Sequence, residues 1–299
     1  YPLQISHFAT CACLSNRNRF PSFFRTIPSD YYQSRALAQL VKHFGWTWVG
    51  TIRSDNDYGN YGMATFVEAA QELGICIEYS AAISETYPIE KLLKTVDVIK
   101  RSTAKVVIAF LARPDMTVLL TELFLHNVTG LQWIGSEAWI TARNYATAEG
   151  YKVLTGSIGF TMINKNIDGL REFFMNLQTS QVQGNALINK YWETALNCSL
   201  SNQNNTTGIK PCTGSESLRE LKNRYADISQ MRIYNNVYKS VYAVAYSLHN
   251  LITCKKGQGP FSNHSCAKII PFKPWQVRFN TAILNCPHTI IYNSMYISF

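Results

Sequence analysis

Hydrophobic positions in the middle of the chain follow two alternating periods. Runs of β-branched and aromatic residues predict buried strands over 46–52, 75–81, 105–111 and 131–135. Apolar residues spaced three and four apart predict the intervening helices, over 63–73, 89–100 and 114–126. This strand–helix alternation predicts an α/β fold with a parallel sheet and helices on both faces.

Further helices are predicted on either side of this segment. Ser29 and Asp30 cap a helix whose core face is predicted to be Leu37, Leu40, Val41 and Phe44. Downstream helices are predicted over 169–177, 187–196 and 235–251. The apolar side of the last of these is predicted to consist of Val237, Val241, Val244, Ala245 and Leu248. Parallel α/β sheets bind ligands beyond the carboxyl ends of their strands. Those ends are Arg53–Gly59, Leu111–Asp115 and Gly135–Trp139.

Composition and motifs argue against two classes of function, nucleic-acid binding and catalysis. The 299 residues are 46% hydrophobic and 16% charged, with a net charge of +9. The basic residues are scattered, with no run longer than Lys255-Lys256, so a nucleic-acid-binding face is not expected. The sequence has no phosphate loop, no GxSxG, no HExxH and no acidic metal cluster, so we do not expect an enzyme. Glu137 could serve an enzyme as a general base only together with partner catalytic residues, and the sequence shows no such group of residues.

Cysteines and glycosylation acceptors indicate an extracellular protein. Eight cysteines, an even number, suggest a disulfide framework whose connectivity the sequence alone does not fix. N-x-Ser/Thr acceptors occur at Asn127, Asn197, Asn204, Asn205 and Asn263. The chain starts at Tyr1 and carries neither an export signal nor an apolar run long enough for a membrane anchor. We therefore expect a part of a longer extracellular protein.

The residue types near the strand ends suit recognition of a free amino acid. An ammonium group requires a carboxylate and an aromatic face, and a carboxylate requires hydroxyl and backbone N–H donors. Asp30, Tyr58, Thr10 and Glu137 are such residues. Each also has an ordinary alternative: a helix N-terminal charge, a turn aromatic, a loop hydroxyl and a solvated loop charge, respectively.

Five collinear motifs give the chain a family resemblance. They are residues 23–30 (FFRTIPSD), 44–50 (FGWTWVG), 55–59 (DNDYG), 136–139 (SEAW) and 234–238 (YNNVY). They resemble the extracellular Venus-flytrap domain of class C G-protein-coupled receptors, in particular the calcium-sensing-like, vomeronasal type-2 and fish olfactory amino-acid receptors. The resemblance covers residues 4 to 277 and does not extend into the stretch that follows.

The resemblance implies a periplasmic-binding-protein-like fold of two α/β lobes that close on a ligand. Residues 28–162 would form lobe 2, the membrane-proximal lobe, and residues 1–27 and 163–277 would form part of lobe 1. The first half of lobe 1 would precede Tyr1 and is missing, and residues 278–299 would be a divergent tail.

The resemblance also assigns roles to individual residues. Asp30 and Tyr58 would receive the ligand ammonium, with Glu137 close to the amine and to any bound cation. Thr10 would donate its hydroxyl to the ligand carboxylate, and Phe8 and Ala112 would line the pocket. Asp55, Asp57 and Glu137 are the candidate ligands of a divalent cation; Ca²⁺ is the one candidate cofactor.

Cysteine pairings come from the same resemblance. It implies disulfides between Cys198 and Cys212 and between Cys254 and Cys266, and an unpaired Cys76 whose usual partner lies in a downstream domain. Cys11 and Cys13 occupy positions where relatives carry small residues, so they are either buried thiols or a source of misoxidation. The state of Cys286 is left open.

The resemblance implies a receptor ectodomain fragment that senses L-amino acids, with or without divalent cations, at the extracellular face of the plasma membrane. Lobe closure would rearrange a receptor dimer and signal to a G protein through a membrane domain. The alternative is a non-signalling soluble remnant or binding protein of the same fold. Ligand identity and the choice between calcium and amino-acid sensing are not encoded in any motif that we recognise.

Overall fold

In the computed structural model the chain forms two compact units. The structure describes residues 3–162, 165–176, 186–200, 210–213, 216, 219, 232–267, 273 and 275–277, and the backbone of 295–298. The first unit consists of residues 1–163 and 236–299, and the second of residues 164–235. The lobe boundaries that the resemblance implies stay a prediction.

Helices and strands alternate through the first 162 residues. The strands are β1 (Gln4–Ser6), β2 (Phe23–Arg25), β3 (Trp48–Ser54), β4 (Cys76–Ile83), β5 (Val106–Phe110), β6 (Gln132–Gly135), β7 (Ile158–Met162) and β8 (Met295–Ser298). The helices are α1 (Asp30–His43), α2 (Asp57–Glu72), α3 (Ile89–Arg101), α4 (Arg113–Leu125), α5 (Ala148–Leu154), α6 (Leu170–Asn176), α7 (Ala186–Leu196) and α8 (Tyr234–Ile252).

A six-stranded sheet forms the centre of the first unit. Its strand order is β4-β3-β5-β6-β7-β8. Strands β3 to β7 pair in parallel, and β8 pairs antiparallel with β7. The predicted parallel sheet flanked by helices is therefore confirmed. Since consecutive parallel strands end at the same edge, the loops after β3, β5 and β6 lie at one edge of the sheet.

Each face of this sheet has its own hydrophobic core, because successive side chains of a strand point to opposite faces. In β5, Val107 and Ala109 pack in one core, and Ile108 and Phe110 pack in the other. Helices α3, α4 and α5 cover the first core, and helices α1 and α2 cover the second. The helices that carry Asp30 and Tyr58 are thereby fixed side by side on one face.

A small parallel sheet lies before α1. Strands β1 and β2 pair in register from Gln4 with Phe23 to Ser6 with Arg25. The residue after β2, Thr26, donates from its hydroxyl to the carbonyl oxygen of Asn236 in α8 at 2.9 Å. This bond joins the small sheet to the buried side of α8.

The second unit contains α6 and α7. Trp192 and Ala195 of α7 are buried and pack with Met175 and Ile188. A disulfide joins Cys198 to Cys212 across 14 positions. Closing a loop of this length stabilises a fold by about 3 kcal/mol through the entropy of the unfolded chain.

Three details differ from the sequence-based predictions. Phe44, predicted to belong to the core face of α1, is 42% exposed because it follows the last residue of the helix. Trp48, predicted to be part of a buried strand, is also exposed. Val237 and Val241, on the predicted apolar side of α8, are exposed, whereas Asn236, Ala243 and Leu251 are buried. Hydrogen bonds through Asn236 fix this face of α8 inward.

Within the part of the chain that the structure describes, we find no helix of the length and apolar character that crossing a bilayer requires.

Phe66 is expected to be a main contributor to the core beneath α2, since its side chain is fully buried. Phe66→Ala should lower the free energy of unfolding by about 3–5 kcal/mol through lost burial and the cavity left behind. Tyr61→Ala, on the exposed side of the same helix, is the matched control and should change it by less than about 0.5 kcal/mol. Urea unfolding followed by circular dichroism measures both, and equal effects would contradict the assigned packing.

Candidate ligand-binding site

The N-terminus of α1 places one carboxyl group in the protein interior. Ser29 caps the helix, and its hydroxyl accepts from the Tyr31 backbone N–H at 3.3 Å. The first helical residue, Asp30, donates its backbone N–H to the carbonyl oxygen of Thr10 at 2.9 Å. The Asp30 side chain is only 1% exposed, so the carboxyl group is far more buried than a helix-capping charge needs to be.

Gln33 connects this carboxyl group to the loop after β6. Its side-chain amide donates to Asp30 Oδ1 at 3.2 Å, and its Oε1 accepts from the Glu137 backbone N–H at 3.0 Å. Gln33 is fully buried, and Glu137 is 7% exposed. One amide therefore holds the two acidic residues at a common position beside the end of the sheet.

Both acidic residues retain an acceptor oxygen without a protein partner. Asp30 Oδ2 and Glu137 Oε2 are buried and make no hydrogen bond. Burial and the neighbouring Glu137 raise the pKa of Asp30 to about 8, while hydrogen bonds from the side chains of Thr10 and Gln33 and the positive charge of Arg25 oppose that rise. Burial also raises the pKa of Glu137. Two carboxyl groups in such surroundings either retain a proton or bind a cation.

An aromatic residue completes this cluster. Tyr58 lies in the first turn of α2, where the side chain of Asn56 caps the helix by accepting from the Gly59 backbone N–H at 3.1 Å. Its hydroxyl donates to Ser136 Oγ at 2.8 Å, and its ring lies 4.7 Å from that of Phe110. Burial, Glu137 and Asp30 raise the pKa of Tyr58, so its phenol is neutral. The structure thus brings together residues that follow β3 and β6.

A third buried acid, at the same edge of the sheet, is different. Asp115 Oδ2 accepts from the Ser54 hydroxyl, and Asp115 Oδ1 accepts from the Glu85 backbone N–H at 2.8 Å. Ser54 in turn accepts from the Ala112 backbone N–H at 2.7 Å. Each carboxylate oxygen of Asp115 therefore has a hydrogen-bond donor, so the role of this buried acid is to hold the loops together. Asp30 and Glu137 each keep one oxygen without a donor, so the same role does not account for their burial.

The remaining predicted pocket residues, Thr10, Ala112 and Phe8, differ in how far they are exposed to solvent. Thr10 is buried, and its carbonyl group contacts α1 as described above. Ala112 is half-buried at the N-cap of α4. Phe8 is 41% exposed, and its backbone N–H donates to Ser6 Oγ at 3.3 Å. The pocket-lining roles of Phe8 and Ala112 stay predictions.

The structure does not gather the predicted cation ligands into one group. Asp55 is exposed and accepts from the Tyr87 hydroxyl, and Asp57 is exposed in the first turn of α2. Among the described residues, three ligating side chains meet only at Cys198, Cys212 and Glu216, where the two cysteines form a disulfide. Ca²⁺ prefers six to eight oxygen ligands. Binding of Ca²⁺ by Asp55, Asp57 and Glu137 therefore stays a prediction.

Cysteines and glycosylation acceptors have the following positions. Disulfides join Cys198 to Cys212 and Cys254 to Cys266, as the resemblance implied, and a third joins Cys11 to Cys13, which the sequence had left open. Cys76 is free and exposed. Asn127, Asn197 and Asn263 are exposed with positive φ angles of 55° to 56°. Cys286, Asn204 and Asn205 lie outside the described residues.

Sequence reasoning missed three residues that hold this cluster together: Gln33, Ser136 and Arg25. Gln33 follows Asp30 by three positions, a spacing that places both on the same face of a helix, so a search for polar pairs in α1 finds it. Ser136 and Arg25 stand inside the family motifs, but their roles depend on contacts with distant parts of the chain.

Comparison with known proteins agrees with this geometry. A family model described as the receptor family ligand binding region matches residues 3–281. The extracellular calcium-sensing receptor of Sus scrofa is 37% identical to the chain over 308 residues, which cover 95% of the chain and 28% of the receptor. Taste receptor type 1 member 1 of Mus musculus is 29% identical over 275 residues, covering 91% and 30%.

A third relative, G-protein coupled receptor family C group 6 member A of Homo sapiens, is 26% identical over 294 residues, covering 92% of the chain and 30% of the receptor. The fold and the cluster thus define an α/β ligand-binding domain of receptor type. The chain belongs to the receptor family ligand binding region, as found in class C G-protein-coupled receptors. These relatives are receptors rather than enzymes, and the chain spans less than a third of their length.

Stability should decrease as pH rises across the titration of the buried acids. Between the ordinary Asp pKa of 3.8 and the raised value of about 8, the folded state binds more protons than the unfolded state. The stabilisation present below pH 4 is therefore lost as pH rises to 8, by at most about 6 kcal/mol at about 1.4 kcal/mol per pKa unit.

Asp30→Asn should remove most of this dependence, and Asp97→Asn, at an exposed site on α3, should retain it. Urea unfolding at a series of pH values measures the effect. A wild-type stability that is flat or rises between pH 5 and pH 8 would contradict the assigned burial.

Proposed function

We propose that this domain recognises a free L-amino acid and that Asp30 and Glu137 receive its ammonium group. The supporting observation is the pair of buried carboxyl oxygens without protein partners, Asp30 Oδ2 and Glu137 Oε2. A buried carboxylate without a partner costs several kcal/mol, and a ligand cation recovers that cost. The protein would then pre-form the acidic half of the contact, and the bound ammonium would favour the ionised form of these acids.

The surroundings favour an ammonium group with an adjacent carboxylate over a simple cation. Tyr58 offers a neutral ring beside the acids, and cations bind to such faces. Thr10 contacts Asp30 through its carbonyl group and through its side chain, and on binding it would present its hydroxyl to the carboxylate of the same ligand. A zwitterion satisfies both sides, whereas a divalent cation satisfies only the acids. Direct coordination of Ca²⁺ by Asp30 and Glu137 is the second candidate.

Signalling would follow from closure of the two lobes around the bound ligand. A ligand that contacts both lobes favours the closed state by its differential affinity for the two states. Closure would rearrange a receptor dimer at the extracellular face of the plasma membrane and act on a G protein through a membrane domain. The relatives' description as extracellular and G-protein-coupled receptors supports this proposal. A soluble binding protein of the same fold is the alternative.

Equilibrium binding to the complete polypeptide that contains residues 1–299 tests the proposal. Each of the twenty common L-amino acids is titrated by calorimetry, together with its N-acetyl derivative, which has no ammonium charge, and with CaCl₂. At least one amino acid should bind. Its N-acetyl derivative should bind about 30-fold to 1000-fold more weakly, the range for removing one partner of a buried charge pair.

Asp30→Asn should weaken binding by a similar factor, because it preserves the shape of the side chain and removes its charge. Asp97→Asn is the matched control, since its exposed carboxylate only pairs with Arg101 on the same helix. Binding of CaCl₂ without any amino acid would favour the second candidate. Equal affinity of the Asp30→Asn and Asp97→Asn variants would contradict the proposal.

A further inference from the structure

A single guanidinium group organises the loop beside the candidate site. Arg25, the last residue of β2, donates from Nη1 to the carbonyl oxygens of Ala9, Thr10 and Cys11 at 3.2, 2.8 and 2.9 Å. Its Nη2 donates to the hydroxyl of Ser15. Three consecutive carbonyl groups converge on one nitrogen, so the backbone of residues 9–15 curves around the Arg25 side chain.

The same loop is attached to the first turn of α1. The carbonyl oxygen of Thr10 accepts from Arg25 Nη1 and also from the Asp30 backbone N–H at 2.9 Å. Arg25 thus fixes a carbonyl group that in turn contacts the residue carrying the buried acid. Thr10 itself is 4% exposed, so a displacement of this loop changes the surroundings of Asp30 directly.

A disulfide within the same loop is a second constraint on its backbone. The disulfide between Cys11 and Cys13 starts one residue after Thr10, and Cys11 is buried. The Arg25 contacts reach both sides of this disulfide, at Thr10 and at Ser15. The hydrogen bonds of Arg25 and the disulfide together hold the backbone at Thr10, whose side chain hydrogen-bonds to Asp30.

Arg25 also interacts electrostatically with Asp30. The positive charge of Arg25 favours the ionised form of Asp30, and Asp30 in turn favours the charged form of Arg25 against its burial. Within the described part of the structure no hydrogen bond or ion pair joins the two side chains, so Arg25 leaves the Asp30 oxygens available. A residue that neutralised Asp30 by direct pairing would compete with a ligand cation, and Arg25 does not.

We propose that Arg25 is a positioning residue of the ligand site, which acts through the loop of residues 9–15 to hold Thr10 where a ligand carboxylate binds. This inference rests on the proposed function and deepens it. In this proposal Arg25 does not touch the ligand itself. The proposal predicts that the site discriminates between an α-amino acid and the amine that lacks its carboxylate, and that this discrimination depends on Arg25.

Binding measurements on Arg25→Gln and Arg25→Lys in the complete polypeptide test this role. The probes are each common L-amino acid that binds the wild type and the corresponding decarboxylated amine. Arg25→Gln should weaken binding of the amino acid about tenfold to hundredfold, the range for losing hydrogen bonds to a charged group, and should change binding of the amine less than about threefold. Arg25→Lys should retain part of the discrimination, since an ammonium reaches fewer carbonyl groups.

Two controls separate positioning from general damage. Arg101→Gln removes an exposed guanidinium that pairs with Asp97, and both affinities should stay at the wild-type values. Thr10→Ala should reproduce the selective loss, and combining it with Arg25→Lys should add little, because both changes act on the same contact. If Arg25→Gln does not fold, the ratio of the amino-acid affinity to the amine affinity of Arg25→Lys, compared with the wild-type ratio, tests the role of Arg25.

The outcomes distinguish the two proposals. If the wild type binds no amino acid, the proposed function fails, and the role of Arg25 fails with it. If the wild type binds and the Arg25 variants weaken amino acid and amine equally, Arg25 serves the fold only and the inference is overturned. Amino-acid affinities of the Arg25 variants that match Arg101→Gln would also overturn it.

Discussion

Removing two carboxyl groups from water without giving them a cation is the constraint on which the site depends. Asp30 and Glu137 are both buried, and Gln33 spans from the side chain of one to the backbone of the other. Each burial costs free energy that hydrogen bonds only partly recover. The protein tolerates this cost because the rest of the unit, with two hydrophobic cores on one sheet, stabilises the positions of α1 and of the loop after β6.

The fold produces this arrangement by its topology. Loops that follow parallel strands meet at one edge of the sheet, so Tyr58 after β3 reaches Ser136 after β6 although 78 positions separate them. Asp115 lies at the same edge and has a donor for each carboxylate oxygen, whereas Asp30 and Glu137 each keep an acceptor free. This contrast within one sheet edge distinguishes a loop-supporting acid from a ligand-receiving acid better than burial alone.

Sequence patterns predicted the central elements well and the site less completely. Helices α1 to α4 and strands β3 to β6 follow strong periodicities, whose period depends only on local geometry. Helix α5 has seven residues, too short for a clear pattern, and β7 lacks the continuous apolar run that marks β5, so both were missed. Phe44 was assigned to the core because periodicity does not mark the residue at which a helix ends.

The site residues were found mainly through the family resemblance, because residue type alone did not separate Asp30, Tyr58 or Glu137 from ordinary surface roles. Gln33, Ser136 and Arg25 act through contacts between segments far apart in the chain, and no local pattern encodes such contacts. The pairing of Cys11 with Cys13 was undecided for a similar reason, since an even number of cysteines permits many connectivities.

Difference infrared spectroscopy of the complete polypeptide at pH 7 tests the central claim most directly. The account predicts a protonated carboxyl band in the ligand-free protein that disappears when an amino acid binds, because the bound ammonium favours the ionised acids. The Asp30→Asn variant should show no such loss. A wild-type spectrum without a protonated carboxyl band, or a band that persists on binding, would contradict the assignment of Asp30 and Glu137 as the receptor of a ligand cation.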